Sequence, residues 1–216
     1  MLAAKERLGQ LLGLAAARQW SALARELGDL VLYWPADYPD VMRPLIVALF
    51  ETALREADPE TQRLMADRMA GRADIPLKLM NVLYLAAPAP LRREILMRNE
   101  LEGGTPATLD IDGPALLAAS RSRNSDFTGT LARLTGLPRR VATAILTDPG
   151  GEPLAVLCRG AGLDRASFSA VALLRGPEGL PLAVFDTVAP KAAAHLVADW
   201  RKTGNDTMQG SIRAAE

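Results

Sequence analysis

Pro153-Leu154-Ala155-Val156-Leu157 opens on a proline and runs on as a short apolar segment. Four other stretches repeat the pattern: Pro44-Leu45-Ile46-Val47, Pro76-Leu77-Lys78-Leu79-Met80, Pro114-Ala115-Leu116-Leu117 and Pro181-Leu182-Ala183-Val184-Phe185. Successive prolines stand 32, 38, 39 and 28 residues apart. A proline at the first helical position has φ already near the helical value and lacks an amide that would be orphaned there, so each run reads as a helix start. The chain reads as a stack of helical hairpins.

A shift of 77 residues without gaps carries Pro76, Leu77, Leu79, Met80, Leu91 and Leu96 onto Pro153, Leu154, Val156, Leu157, Phe168 and Leu173. Both copies give a helix start, a break and a second apolar helix, the order required of two-helix units that bury a face on a neighbour. The composition agrees: 49% of residues are hydrophobic and only 5% aromatic, which suits closely packed helices better than a sheet sandwich. The expected fold class is all-α, an α-solenoid-like stack of helical hairpins with about ten to twelve helices.

Outward from these runs, leucines at 8, 11, 12 and at 23, 27, 30 predict two helices within 2–32, broken near Arg18 to Ser21 with Trp20 at the joint. Tyr33-Trp34-Pro35-Ala36-Asp37-Tyr38-Pro39 cannot continue a helix through two prolines and reads as an ordered connection or a contact surface. Helices follow near 41–57, 59–71, 75–86 and 88–100. The turn-rich stretch 101–113 is the expected connection between an N-terminal helical half, 1–100, and a C-terminal half, 114–202. Within the second half, helices are expected near 114–121, 126–135, 138–147, 152–161, 165–175, 180–187 and 190–202. Residues 203–216 are expected to form a flexible tail.

Lys plus Arg and Asp plus Glu are each 25, so the formal net charge is zero and no overall field draws the chain to nucleic acid or an anionic membrane. The start of the chain carries charge without an apolar block and reads as a helix, not a signal peptide. No apolar stretch approaches the roughly 18 to 20 residues that span a bilayer. One cysteine, Cys158, excludes an internal disulfide and suits a reducing compartment, so the expected location is cytoplasmic.

The sharpest functional lead is Gly129 through Val141, in which a small residue, a turn glycine at Gly136 and basic Arg139 and Arg140 resemble a DNA-binding helix-turn-helix. A second copy fits Cys158, Gly162 and Phe168. Any tight two-helix turn also calls for a small residue and a glycine, so structural hairpins explain both copies. Arginines gather again at Arg92, Arg93, Arg98 and at Arg121 and Arg123, where they suit an acidic partner or a solvated helix face equally. His195 is the only histidine, which excludes a multi-histidine metal cluster, and it and Cys158 read as packing residues. Paired acids such as Asp110 and Asp112 stand where carboxylates cap helices. The candidate interaction surface is Arg139, Arg140, Arg121, Arg123, Trp34 and Tyr38. Catalytic, cofactor-binding and metal-binding residues are none.

Val141 to Pro149, Pro153 to Leu163 and Ala192 to Arg201 together make the segment from about Thr130 to Lys202 resemble a bacterial family of uncharacterised helical proteins, domain-of-unknown-function family 2336. The resemblance implies an all-helical fold related to HEAT-type repeats and no assigned activity. The expected function is a non-catalytic protein–protein interaction or regulatory scaffold module. The alternative is a DNA-binding regulator using 129–143. A protein partner is expected, nucleic acid is disfavoured, neither membrane nor cofactor is expected, and a homodimer through the aromatic stretch stays open.

Overall fold

The computed structural model describes the backbone of residues 2–36, 38–106, 108–122 and 126–213, and side chains among these from Glu6 to Lys202. Among the described residues all regular structure is helical. The α-helices are α1 (Leu2–Ala16), α2 (Trp20–Leu32), α3 (Arg43–Glu56), α4 (Pro59–Met69), α5 (Leu77–Leu83), α6 (Ala89–Glu102), α7 (Gly113–Arg121), α8 (Phe127–Thr135), α9 (Arg139–Thr147), α10 (Glu152–Gly160), α11 (Arg165–Arg175) and α12 (Pro190–Arg213). Short 3₁₀ helices cover Asp40–Met42 and Leu182–Thr187.

All five run-opening prolines stand at helix starts. Pro44, Pro114 and Pro153 occupy the second residue of α3, α7 and α10. Pro76 and Pro181 take the N-cap of α5 and of the second 3₁₀ helix. Aspartates cap four other starts by accepting from backbone amides in the first turn: Asp58 from Thr61, Asp112 from Ala115, Asp126 from Gly129 and Asp164 from Ser167. The segment expected as a helix near 180–187 is a 3₁₀ helix over Leu182–Thr187, with i→i+3 bonds. The last helix continues to Arg213, through the segment expected as a flexible tail.

The chain divides into two compact units, Met1–Ile95 and Leu96–Glu216, with the division inside α6. In the first, α2 is the central element, packed on α1, α3 and α4, and it buries Leu23, Ala24, Leu27, Leu30 and Val31. In the second, α10 holds that place: Leu154, Ala155, Val156, Leu157 and Cys158 are each 0% exposed. Its main cover is α12, which contributes buried Ala192, Ala193, Leu196, Val197 and Trp200. Fully burying side chains of this size stabilises by roughly 1.5–3 kcal/mol each.

Candidate functional site

Arg139, the first residue of α9, reaches back along α8 to the carboxylate that caps it. Its two terminal nitrogens donate to Asp126 at 2.9 and 2.8 Å. The fork holds the Asp126 carboxyl below the usual carboxylate range, with the Gly129 amide adding to the effect, and it raises Arg139. Arg140 is exposed in the first turn of α9. Arg121 is exposed in the last turn of α7, where a cation complements the helix dipole. Arg123 lies outside the described residues.

Trp34 and Tyr38 pack edge to face, ring centroids 5.7 Å apart, with the Arg43 guanidinium 5.9 Å from the Trp34 ring. Tyr38 is only 7% exposed, so this half of the expected aromatic contact surface faces inward. Trp34 is half-buried. The reason is local: a turn, with the Tyr38 amide donating to the Pro35 carbonyl at 3.1 Å, folds the tyrosine inward.

Other arginines do internal work that the sequence does not show. Arg72, Arg92, Arg159 and Arg175 each lie over an aromatic ring and donate to backbone carbonyls near the C-terminal end of a helix. Arg159 stacks 4.4 Å from the Phe185 centroid and donates to Val188 O at 3.1 Å. Arg175 lies 4.9 Å from Phe127 and donates to Ser120 O at 2.9 Å and also to Ser122 O. Arg92 lies 5.6 Å from Tyr84 and donates to the Tyr84 and Leu85 carbonyls, both at 3.1 Å. Arg72 lies 5.9 Å from Tyr33 and donates to Leu32 O at 3.1 Å. Each clamp satisfies carbonyls that the helix leaves open and adds a cation–π contact of roughly 0.5–2 kcal/mol.

The two nucleophile and base candidates are also held in place. Cys158 is 0% exposed, and burial pushes its thiol up to about 12, so it stays protonated and weakly nucleophilic at neutral pH. His195 Nε2 lies 2.9 Å from Gly104 O, and Lys191, one turn earlier on α12, donates to Glu100 O at 2.6 Å. Together they tie down the carbonyls at the end of α6. A Cβ at Gly103 would clash first with the Asn99 backbone carbonyl and would also fall 2.7 Å from His195 Nε2, so a glycine suits this position. Among the described residues no group of three or more His, Cys, Asp or Glu is placed to hold a metal ion, and no helix is long and apolar enough to cross a membrane.

Two surface features remain on the second unit. On α11, Leu173 is 76% and Leu174 53% exposed, beside a groove of about 320 Å³ lined by Ala172, Leu173, Gly176, Pro177, Leu180 and Leu182, with Glu178 at its edge. On α8, Gly129 and Arg133 stand one turn apart, and Gly136 is the C-cap that follows the helix. A Cβ at Gly129 would fall closest to Asp126 Oδ2 and 2.8 Å from Arg139 Nη1. A Cβ at Gly136, whose φ of 68° closes the helix, would fall 3.0 Å from Arg201 Nε and 3.2 Å from its Nη2. The paired Asp126 carboxylate and Arg139 guanidinium thus lie on Gly129, and the Arg201 guanidinium lies on Gly136. Neither Arg133 nor Arg201 was singled out by the sequence; the glycines on either side of Arg133 were the available signal.

Residues 111–181 match the model of a family described as "Uncharacterised protein conserved in bacteria (DUF2336)". The match takes in α7 through α11 and stops before the Ala192 to Arg201 run. No curated protein and no solved structure matches the chain.

Proposed function

We propose that this chain is a non-catalytic interaction module that recognises another protein and works in the cytoplasm. The observation that supports this reading is the exposed pair Leu173 and Leu174 beside the α11 groove, apolar surface that a helix of this size ordinarily buries. The side chains most suited to chemistry are engaged elsewhere: Cys158 in the core and His195 on the Gly104 carbonyl. The HEAT-like stacking of hairpins belongs to the same reading, since such stacks present surfaces to partners.

The test is in-cell crosslinking of the full chain, followed by rebinding of any captured protein in pure form. The reading expects a partner whose dissociation constant rises at least tenfold with Leu173→Asp, while the melting temperature stays within a few degrees. Absence of such a partner, or one indifferent to Leu173→Asp and Leu174→Asp, overturns it. A DNA-binding regulator using 129–143 is the competing reading; it predicts salt-sensitive retention of duplex DNA that Arg139→Ala with Arg140→Ala weakens.

A further inference from the structure

We infer that the outward face of α3 is a dimer interface, on which a second copy of this chain lays its own α3 antiparallel. The surface belongs to the first unit and is separate from the Leu173 face, so it goes beyond the interaction reading. Three observations carry it.

First, α3 is apolar on both sides. Pro44 to Phe50 contains no charged and no polar side chain. Ile46, Val47, Phe50, Ala53 and Leu54 are buried within the unit, while Leu45 is 70% exposed, Ala48 is exposed and Leu49 is half-buried. Val41, in the 3₁₀ turn that leads into the helix, is 79% exposed. A helix that is hydrophobic all round is ordinarily covered all round. Its neighbours follow the usual division: α2 turns Arg25, Glu26 and Asp29 toward solvent, and α4 turns Glu60, Arg63 and Asp67.

Second, the open face can be covered without orphaning a polar group. Leu45, Ala48, Leu49 and Thr52 are spaced three and four apart, which puts them on one side of the helix. Thr52, the polar member, turns its hydroxyl back and donates to Ala48 O at 3.2 Å. Ala48, small and central, lets a second helix axis come close.

Third, the face is complementary to itself. Exposed Arg43 opens α3 and exposed Glu56 closes it. The order 45, 48, 49, 52 reads the same in both directions, as an isologous contact requires. A two-fold axis near Ala48 and Leu49 sets Leu45 against Thr52 of the partner subunit and brings Arg43 toward Glu56 of the partner subunit, twice over. A second copy thus supplies, in reverse order, each group that the face needs. With 14 residues α3 is about 21 Å long, so one of its faces covers less than the roughly 800 Å² per partner of a standard interface. The dimer is expected to be weak, with a dissociation constant on the order of 10–100 µM.

The experiment is sedimentation velocity with light scattering on the full chain from about 1 to about 500 µM, where monomer should give way to dimer as concentration rises. Leu45→Asp should raise the dissociation constant at least tenfold, with the melting temperature within a few degrees because the side chain is exposed. Leu173→Asp should leave the dimer unchanged. Arg43→Glu and Glu56→Arg should each weaken it several-fold by setting like charges together. A one-to-one mixture of those two variants should dimerise more tightly than either alone, since every contact in the mixed pair joins opposite charges. Circular dichroism and melting are recorded on each variant. A chain that stays monomeric throughout, a dimer indifferent to Leu45→Asp, one abolished by Leu173→Asp instead, or a mixture no tighter than its components overturns the inference. Dimerisation that survives Leu173→Asp while a captured partner is lost supports both surfaces, each on its own unit.

Discussion

Segments 76–96 and 153–173 stand 77 residues apart in sequence and place apolar residues at equivalent points, yet Leu77 is half-buried where Leu154 is 0% exposed, and a second pair differs more. Leu79 and Met80 are 0% exposed, as are Val156 and Leu157; Leu91 is at 2% and its counterpart Phe168 at 0%. Leu96 is 8% exposed, whereas Leu173 is 76%. An apolar period therefore marks which residues can be buried, and packing decides which are. The starts differ as well: α6 begins between Pro88 and Pro90, while α11 is opened by the Asp164 carboxylate accepting from Ser167 at 2.8 Å.

The comparison breaks most readily at Phe168, which stacks on Phe185 with centroids 4.9 Å apart. Phe168→Ala should destabilise by about 3–5 kcal/mol in urea unfolding, through lost burial and the cavity left behind. A value under about 1 kcal/mol would show that this core position is not what the stacked ring suggests.

The divergent pair gives the next largest effect. Leu96→Ala should cost about 2–5 kcal/mol and Leu173→Ala less than about 0.5, measured in the same urea titrations. Equal effects would mean that the two hairpins pack alike and that the exposed leucine is covered.

The smallest effect concerns the caps. Asp164→Ala should cost about 1 kcal/mol. Its amide partner holds the Asp164 carboxyl below the ordinary aspartate value, so the capping contribution is present above that ordinary value and is lost as pH falls through the lower folded one. Asp58, capping α4, follows the same sign more strongly: Ser21, the Thr61 amide and Arg25 lower it to about 2 from 3.8. Acid titrations of stability between about pH 4 and pH 2 should flatten in Asp58→Asn. Unchanged curvature there would assign the acid sensitivity to other carboxylates.

Much of the fold was legible because its signals are local. Proline at a helix start and aspartate at an N-cap act within one turn, so Pro44, Pro76, Pro114, Pro153, Pro181, Asp58 and Asp164 announced their helices. The site was less legible because its determinants are distant in sequence. Arg175 meets carbonyls of Ser120 and Ser122, and Arg201 lies on Gly136, pairings no periodicity contains. Of the arginines gathered in the sequence, Arg92 is drawn onto the Tyr84 ring and the open end of α5. Tyr38 turned inward where its stretch had read as an ordered connection or a contact surface.

The tie between α12 and the end of α6 bears on synthesis. Lys191 and His195 each reach a carbonyl 91 residues earlier, and the same helix covers α10. On an elongating chain, α7 to α11 emerge before the helix that shields their most deeply buried member. The second unit can therefore close only after residues near 200 have left the ribosome, and until then the Leu154 to Cys158 face is a surface for chaperones to hold.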